Sequence, residues 1–186
     1  MESLAREFEP RDPRSAALDE VLGEVARLGR NVRDLIDYAY APEPKAMTCS
    51  VDEILYSARF QLPHELWSCL WIARDLPGGV RMAELSVDGP ILSRSLARLV
   101  QAAGSNHSRG ILLNASTHKD EVDFCITFCG NDHLDDDPMG LCHAIAQRDL
   151  GVIGCSIQEH TTLSGNTTLR VRVPATLSQS TTEEAA

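Results

Sequence analysis

The sequence predicts an α/β fold, a two-layer sandwich of one mixed, mostly antiparallel sheet with helices on one face, preceded by a long N-terminal helix. Segments with period-two alternation of apolar residues arrive mostly as neighbouring pairs, and segments with a helical apolar stripe separate these pairs. This order favours helices layered on one sheet over a Rossmann alternation. Hydrophobic residues make up 43% of the chain, which is enough to build the core of such a sandwich.

A heptad repeat predicts the N-terminal helix over residues 15–41. Ser15 suits the N-cap position, and Pro42 and Pro44 end the helix. Residues 1–14 are charged and broken by prolines, so we expect a flexible N-terminus. One apolar seam cannot bury itself, so it packs on its own domain or on another copy, and we favour association. The seam residues are Leu18, Val21, Val25, Leu28, Val32 and Leu35.

The next elements are a helix and two strands. The helix is predicted from Ser50 to Leu62, because Ser50 and Glu53 have the spacing of a capping box and one face is apolar. Alternation over residues 66–74 predicts a strand, and a Pro-Gly-Gly turn leads to a second strand over 80–87.

The following helix begins after Asp88 and carries an apolar stripe to Ala103. Two alternating segments, 110–116 and 121–129, are predicted to be neighbouring strands, and the second has a strong strand pattern. An Asp- and Gly-rich loop follows.

The C-terminal part is predicted to hold a short helix over 139–149 and strands over about 151–159 and 167–173. The tail, residues 176–186, is rich in Ser, Thr, Glu and Ala and is expected to be disordered.

Composition excludes several classes of function. The formal net charge of -10 argues against a nucleic-acid surface, which needs a basic face. No apolar run is long enough for a membrane span and the acidic start is not a signal peptide, so a cytoplasmic location is expected. The six cysteines have no metal-finger spacing and are expected to be small core residues. His133 and the aspartates at 135–137 could hold a divalent ion, but a solvated acidic loop is favoured.

The order of elements and four segments resemble the dimerisation and ATPase modules of sensor histidine kinases. The resemblance covers roughly residues 15–174. The heptad helix is similar to the second helix of the family's dimerisation hairpin. The segments that resemble the ATPase domain are SVDEILYSARFQL, VDGPILSRSLARLVQAA and GNTTLRVRVP. The resemblance implies a dimerisation-type helix and linker over 15–44 and an ATPase-like domain over 47–175.

The resemblance also implies positions for nucleotide binding, and these positions have lost the residue types that bind ATP. The family's two asparagines fall on Arg98 and Ala102, and Ala102 has no oxygen for magnesium. The adenine aspartate falls on Gly130, although a small shift of alignment would return Asp132 to that role. The phosphate-binding glycine turn is reduced to one residue, Gly140. With Thr168 of the closing strand, these residues form the expected vestigial pocket.

The resemblance therefore implies a non-catalytic two-component signalling or scaffold protein, without ATP or magnesium, that forms a homodimer and binds a response-regulator receiver or a kinase. One alternative is a histidine phosphotransferase with a degenerate ATPase domain, but no histidine lies on the heptad helix. The other alternative is an ATP-binding sensor-kinase fragment with a divergent pocket.

Overall fold

A five-stranded mixed sheet forms the centre of the main unit. The computed structural model describes residues 13–75, 84–105, 110–118, 121–129, 139–163 and 165–174. The sheet has the strand order β2-β4-β5-β7-β6. Its neighbours are antiparallel except for the parallel pair β2 and β4. The strands are Leu70–Asp75 (β2), Ile111–His118 (β4), Glu121–Cys129 (β5), Ser156–Thr161 (β6) and Asn166–Pro174 (β7).

Three helices pack on one face of this sheet and complete the predicted two-layer sandwich. They are Val51–Phe60 (α2), Gly89–Ser105 (α3) and Met139–Val152 (α4). One hydrophobic cluster joins their buried side chains to the inward-facing residues of the strands. On β5 the alternation of the sequence decides which side chains enter the core. The inward residues of β5 are Val122, Phe124, Ile126 and Phe128.

Side-chain caps fix the starts of α2 and α3. The Ser50 hydroxyl accepts a hydrogen bond from the Glu53 N–H at 3.2 Å, and the Glu53 carboxylate accepts one from the Ser50 N–H at 2.8 Å. The predicted capping box is therefore confirmed. At the start of α3, the Asp88 carboxylate accepts a hydrogen bond from the Ile91 N–H at 2.9 Å. Both caps satisfy amide groups that the first turn of a helix leaves without partners.

The prediction for residues 66–74 was wrong over its first half. A 3-10 helix occupies His64–Ser68, and strand β2 begins only at Leu70. The Trp67 indole N–H donates to the Leu62 carbonyl at 3.3 Å, which holds this turn against the end of α2.

The two predicted strands on either side of residue 79 do not pair with each other. Strand β3, Glu84–Val87, pairs antiparallel with β1, Met47–Ser50, in a separate two-stranded sheet. Strand β1 had not been predicted, since four residues are too few for a clear alternation. The predicted start of β3 at residue 80 and the turn before it lie outside the described residues. The predicted strand over 151–159 begins only at Ser156, because α4 continues to Val152.

The N-terminal helix α1, Pro13–Ala39, belongs to a separate unit that ends at Tyr40, and the main unit begins at Ala41. Leu18 is half-buried, and the other seam residues are exposed. The exposed fractions are 55% for Val21, 46% for Val25, 53% for Leu28, 56% for Val32 and 56% for Leu35. No helix in the described ranges has the length and apolar character to cross a membrane.

Candidate functional site

A buried ion cluster joins α3 to α4 and lies at one of the positions that the sequence selected. Arg98 Nη1 donates to Asp149 Oδ2 at 3.2 Å, and the two side chains are 9% and 1% exposed. Arg148 Nη2 lies 2.6 Å from the other carboxylate oxygen. Arg94 Nη2 approaches Oδ2 to 4.0 Å from the surface. Three guanidinium groups therefore surround one buried carboxylate.

The packing of α3 and α4 explains why these charged residues lie inside. Residues 95–100 of α3 are all buried, so the Arg98 side chain lies in the interior of the domain. On α4 the buried positions follow helical spacing and include Ile145, Ala146, Asp149 and Leu150. Removing two charges from water costs several kcal/mol per ion, and close charge-assisted hydrogen bonds offset that cost. The two helices are therefore tied together by side chains of the protein itself.

Ala102 lies one helical turn after Arg98 and is 3% exposed. Residues four apart share a face of a helix, so its methyl group follows the Arg98 side chain along α3. A methyl group cannot coordinate a cation, and a guanidinium group repels one. These two positions on α3 therefore present no magnesium ligand.

The structure describes only part of the predicted pocket. Gly140 is exposed in the first turn of α4. Gly130 and Asp132 lie outside the described residues, as does the acidic segment at 133–137. The loss of the phosphate-binding glycine turn is therefore inferred from the sequence alone.

Thr168 lies apart from Arg98 and Ala102. Its strand neighbours Thr167 and Leu169 are buried on the helix side, so the Thr168 side chain points to the opposite face of the sheet. There its hydroxyl lies 3.0 Å from that of Thr127. Thr167 is the threonine of this strand that faces the helices.

Sequence reasoning missed Asp149, the residue at the centre of the ion cluster. The sequence did contain a signal that Asp149 is buried. Asp149 follows the apolar residues Ile145 and Ala146 at spacings of four and three, in a helix that is otherwise rich in apolar residues. A carboxylate in such a stripe requires a cation from another element. The sequence could not name Arg98 as that cation, since the two residues are 51 positions apart.

The cysteines of the described residues form no disulfide. Cys155 is buried, and burial raises the pKa of its thiol to about 12. The pKa of Cys49 is also raised, first by burial and then by the charges of Glu53 and Asp88. Within the described ranges, no three of the His, Cys, Asp and Glu side chains are placed to hold a metal ion. Cys129 is exposed and the other four cysteines are partly buried, so the expectation that cysteines act as small core residues is confirmed for Cys155 and is wrong for Cys129.

Comparison with known proteins identifies the fold. No protein-family model and no curated sequence matches the chain. It superposes on the histidine kinase AdeS of Acinetobacter baumannii with a TM-score of 0.64 and 13% identity, over 91% of this chain and 87% of that one. It also matches the catalytic domain of the histidine kinase ThkA, with a TM-score of 0.58 and 12% identity, over 70% of this chain and 97% of that domain. The fold is that of a histidine-kinase ATPase domain.

Of two further solved structures with this histidine-kinase fold, one contains a nucleotide analogue and the other contains a response regulator. Full-length ShkA in complex with AMPPNP matches with a TM-score of 0.68 and 17% identity, over 94% of this chain and 41% of that one. ThkA in complex with the response regulator TrrA matches with a TM-score of 0.66 and 11% identity, over 91% of this chain and 54% of that one. At these identities the likeness establishes the fold alone.

Proposed function

We propose that this chain is a non-catalytic two-component signalling or scaffold protein whose histidine-kinase-type domain binds a protein partner instead of ATP. One observation carries the proposal, the buried ion pair of Arg98 and Asp149. It lies at a position that the family resemblance assigns to an ATP-binding asparagine.

The ion pair supports loss of nucleotide binding for an electrostatic reason. Magnesium requires oxygen ligands, and α3 offers a guanidinium group at residue 98 and a methyl group at residue 102. Asp149 is enclosed by three arginines, so its carboxylate is already neutralised by the protein. A magnesium ion would have to displace a charge-assisted hydrogen bond in the interior, where breaking one partner from such a pair costs about 3–5 kcal/mol.

The proposed partner is a receiver domain of a response regulator or a kinase. The complex of ThkA with TrrA supports this choice, since it shows that a protein with this fold associates with a response regulator. A domain held together by its own ion cluster can offer a fixed surface without nucleotide. The net charge of -10 would favour a partner surface with basic patches.

Homodimerisation through α1 is part of the proposal. Five seam residues expose about half of their surface each, which leaves an apolar stripe along the helix in contact with water. Pairing of two such helices would bury the stripe, as in helical bundles.

Two alternative functions are an ATP-binding kinase fragment and a histidine phosphotransferase. An ATP-binding kinase fragment is favoured by the AMPPNP complex of ShkA, which shows that a protein of this fold can hold a nucleotide analogue. A histidine phosphotransferase would require a phosphorylated histidine, and none of the six histidines lies on α1. Phosphohistidine formed on this chain from a phosphorylated receiver would support the phosphotransferase.

Isothermal titration calorimetry with a non-hydrolysable ATP analogue, with and without magnesium, tests the proposal. The protein is first shown by light scattering and circular dichroism to be folded and of defined mass. We expect no binding heat up to millimolar nucleotide. A matched variant, Thr168→Ala, keeps the Arg98 cluster intact and is expected to behave the same. Micromolar, magnesium-dependent binding to the wild type would refute the loss of nucleotide binding and favour the kinase fragment.

A further inference from the structure

A cavity of about 340 Å³ lies between α2 and the first turns of α3, beside strand β1. Arg98, Ala102, Gly140 and Thr168 are not among its lining residues, so it is separate from the described part of the vestigial pocket. Its volume falls at the lower end of the range for small-molecule sites in proteins. The cavity therefore suits a compact ligand.

Two features of the sequence shape this cavity. Gly89 begins α3 close against β1, where a Cβ atom on residue 89 would lie 3.3 Å from the Cys49 sulfur. Between the helices, the buried Ser93 hydroxyl accepts hydrogen bonds from the Ser57 hydroxyl at 3.2 Å and from Gln61 Nε2 at 3.1 Å. These bonds tie α2 to α3 and fix the polar side of the cavity before any ligand arrives.

The rest of the lining is largely apolar. Ile54 is buried, whereas Met47 exposes about half of its surface, and Pro90 adds the ring at the start of α3. An apolar group that lies against Met47 would remove its surface from water, which is favourable. The cavity therefore favours a ligand with a small apolar group.

The cavity also carries one charge of each sign, Glu53 from α2 and Arg94 from α3. The carboxylate contact of Arg94 within the described residues is Asp149, whose Oδ2 is 4.0 Å from Nη2, longer than a hydrogen bond. The Nε atom of Arg94 lies in the interior without a hydrogen-bond partner in the described part of the chain. The Arg94 guanidinium is partly exposed and therefore has donor groups available for a ligand carboxylate.

Glu53 can bind a ligand cation while it caps α2. Its Oε2 accepts the Ser50 N–H at 2.8 Å, and a carboxylate offers about four acceptor sites in all. Hydrogen bonds with Ser50, first that of its N–H, lower the pKa of the Glu53 carboxyl, so Glu53 is charged at neutral pH. Gln61 adds a second acceptor to the cavity. Its Nε2 donates to the hydroxyls of Ser93 and Ser57, which leaves the side-chain oxygen for a ligand donor.

We propose that this cavity binds a free α-amino acid with a small apolar side chain, such as leucine. The ligand carboxylate pairs with Arg94, and its ammonium group pairs with Glu53 and the side-chain oxygen of Gln61. The apolar side chain lies against Met47 and Ile54. This site is independent of the proposed function, since it uses neither the nucleotide positions nor the seam of α1.

The two charges of the cavity select a zwitterion over a singly charged ligand. A carboxylic acid without an amine would be repelled by Glu53, and an amine without a carboxylate would be repelled by Arg94. The end of a peptide chain carries only one of the two charges beside its terminal side chain. A free amino acid carries both on one carbon and can satisfy both residues at once.

Isothermal titration calorimetry of the full chain with L-leucine, L-valine and L-methionine tests the proposal. We expect the best of the three to bind with a dissociation constant below about 1 mM. Three analogues of leucine each lack one group: 4-methylpentanoate lacks the ammonium, 3-methylbutylamine lacks the carboxylate, and glycine lacks the side chain. Each is expected to bind at least about tenfold more weakly than leucine. No binding of any of the three amino acids up to about 10 mM overturns the proposal, and so does 4-methylpentanoate that binds as tightly as leucine.

Variants of the two charged residues assign the ligand groups. Arg94→Gln is expected to weaken binding of both leucine and 4-methylpentanoate by about tenfold or more. Glu53→Gln keeps the capping box, in which Gln can replace Glu, and is expected to weaken binding of leucine but not of 4-methylpentanoate. Leucine affinity that is unchanged in both variants, with circular dichroism showing that both are folded, would overturn the proposal.

Two matched controls separate this site from a general effect of charge. Arg170 is 48% exposed and lies 3.8 Å from the Asp123 carboxylate, close to the values for Arg94, 41% and 4.0 Å. Glu159 is an exposed carboxylate on β6. Arg170→Gln and Glu159→Gln are expected to bind leucine as the wild type does. If these controls lose as much affinity as the cavity variants, leucine binds elsewhere and the proposed site is wrong.

Discussion

Arg98 occupies a position that the family resemblance assigns to a ligand-binding asparagine, and in the structure it pairs with the buried carboxylate of Asp149. Each charge alone would be costly in this interior, and together they satisfy each other at 3.2 Å. Arg148 and Arg94 add further positive charge around the same carboxylate. The consequence is that α3 and α4 are held together through groups present in the apoprotein.

Removing one member of this pair is predicted to destabilise the domain strongly. Asp149→Ala removes the carboxylate that the Arg98, Arg148 and Arg94 guanidinium groups surround, and we expect a loss of about 3 kcal/mol in the free energy of unfolding. Replacing both residues, Arg98→Met with Asp149→Leu, removes the most deeply buried of the three positive charges and is expected to recover part of that loss, because the Arg148 and Arg94 side chains are partly exposed. Urea unfolding followed by circular dichroism measures both. If the double variant is as unstable as Asp149→Ala, the cost arises from packing and not from charge.

At the scale of the element, the start of α2 illustrates how a local sequence determines structure. Ser50 and Glu53 hydrogen-bond each other's backbone amides, and these bonds lower the pKa of the Glu53 carboxyl. Ser50→Ala is expected to reduce the free energy of unfolding by about 1 kcal/mol, as loss of an N-cap does. The matched change Ser68→Ala lies outside the capping box and should have a smaller effect. An equal effect of the two would contradict a specific cap, as measured by urea unfolding.

The lowered pKa of Glu53 gives the cap a dependence on pH. A carboxyl whose pKa is lower in the folded state stabilises the fold above the pKa of the unfolded chain, about 4.3, and this contribution is lost as the pH falls through the folded pKa. We expect Glu53→Ala to destabilise the protein at pH 7 and to have a smaller effect near pH 3. Thermal unfolding at the two values measures the difference. Glu159→Ala, on an exposed strand, is the control, and a Glu53→Ala effect that does not change with pH would contradict the prediction.

Elements governed by local pattern could be predicted from the sequence, and those governed by distant contacts could not. Strand β5 and the start of α2 were predicted because alternation and capping spacing are written in neighbouring residues. The pairing of β3 with β1 was not predicted from the sequence. The two strands are distant in sequence, and only the tertiary fold brings them together. The alternating pattern over 66–74 begins in a segment that is not a strand, because residues 64–68 turn as a 3-10 helix that packs Trp67 on α2.

At the scale of the whole molecule, the candidate site also has parts that the sequence could predict and parts that only the fold revealed. The resemblance pointed to Arg98 and Ala102, and both lie buried on the face of α3 that packs in the interior. Thr168 was grouped with them from its motif, but strand alternation directs it to the other face of the sheet. Asp149 was found only in three dimensions. The motifs thus indicated candidate positions, while the direction of each side chain required the fold.

Chemical labelling of the cysteines is predicted to report on the integrity of the whole domain. Burial raises the pKa of Cys155 to about 12, so at pH 8 its thiolate is about a thousandfold scarcer than that of a thiol with a pKa of 9. Cys129 is exposed at the end of β5. Mass spectrometry after iodoacetamide treatment should therefore show rapid labelling of Cys129 and labelling of Cys155 only as the protein unfolds. Cys129→Ser removes the fast reaction and serves as the control.

The raised pKa of Cys155 also makes the stability of the domain depend on pH in the alkaline range. A thiol whose pKa is higher in the folded state remains protonated there, while the unfolded chain ionises above about pH 8.5 and gains free energy. Stability contributed by the neutral Cys155 is therefore present below that value and is lost as the pH rises toward 12. We expect Cys155→Ala to lose less stability than the wild type between pH 8 and pH 10, measured by urea unfolding at each pH. Equal losses in the two proteins would mean that Cys155 is accessible to water in the native domain, and its labelling rate would then match that of Cys129.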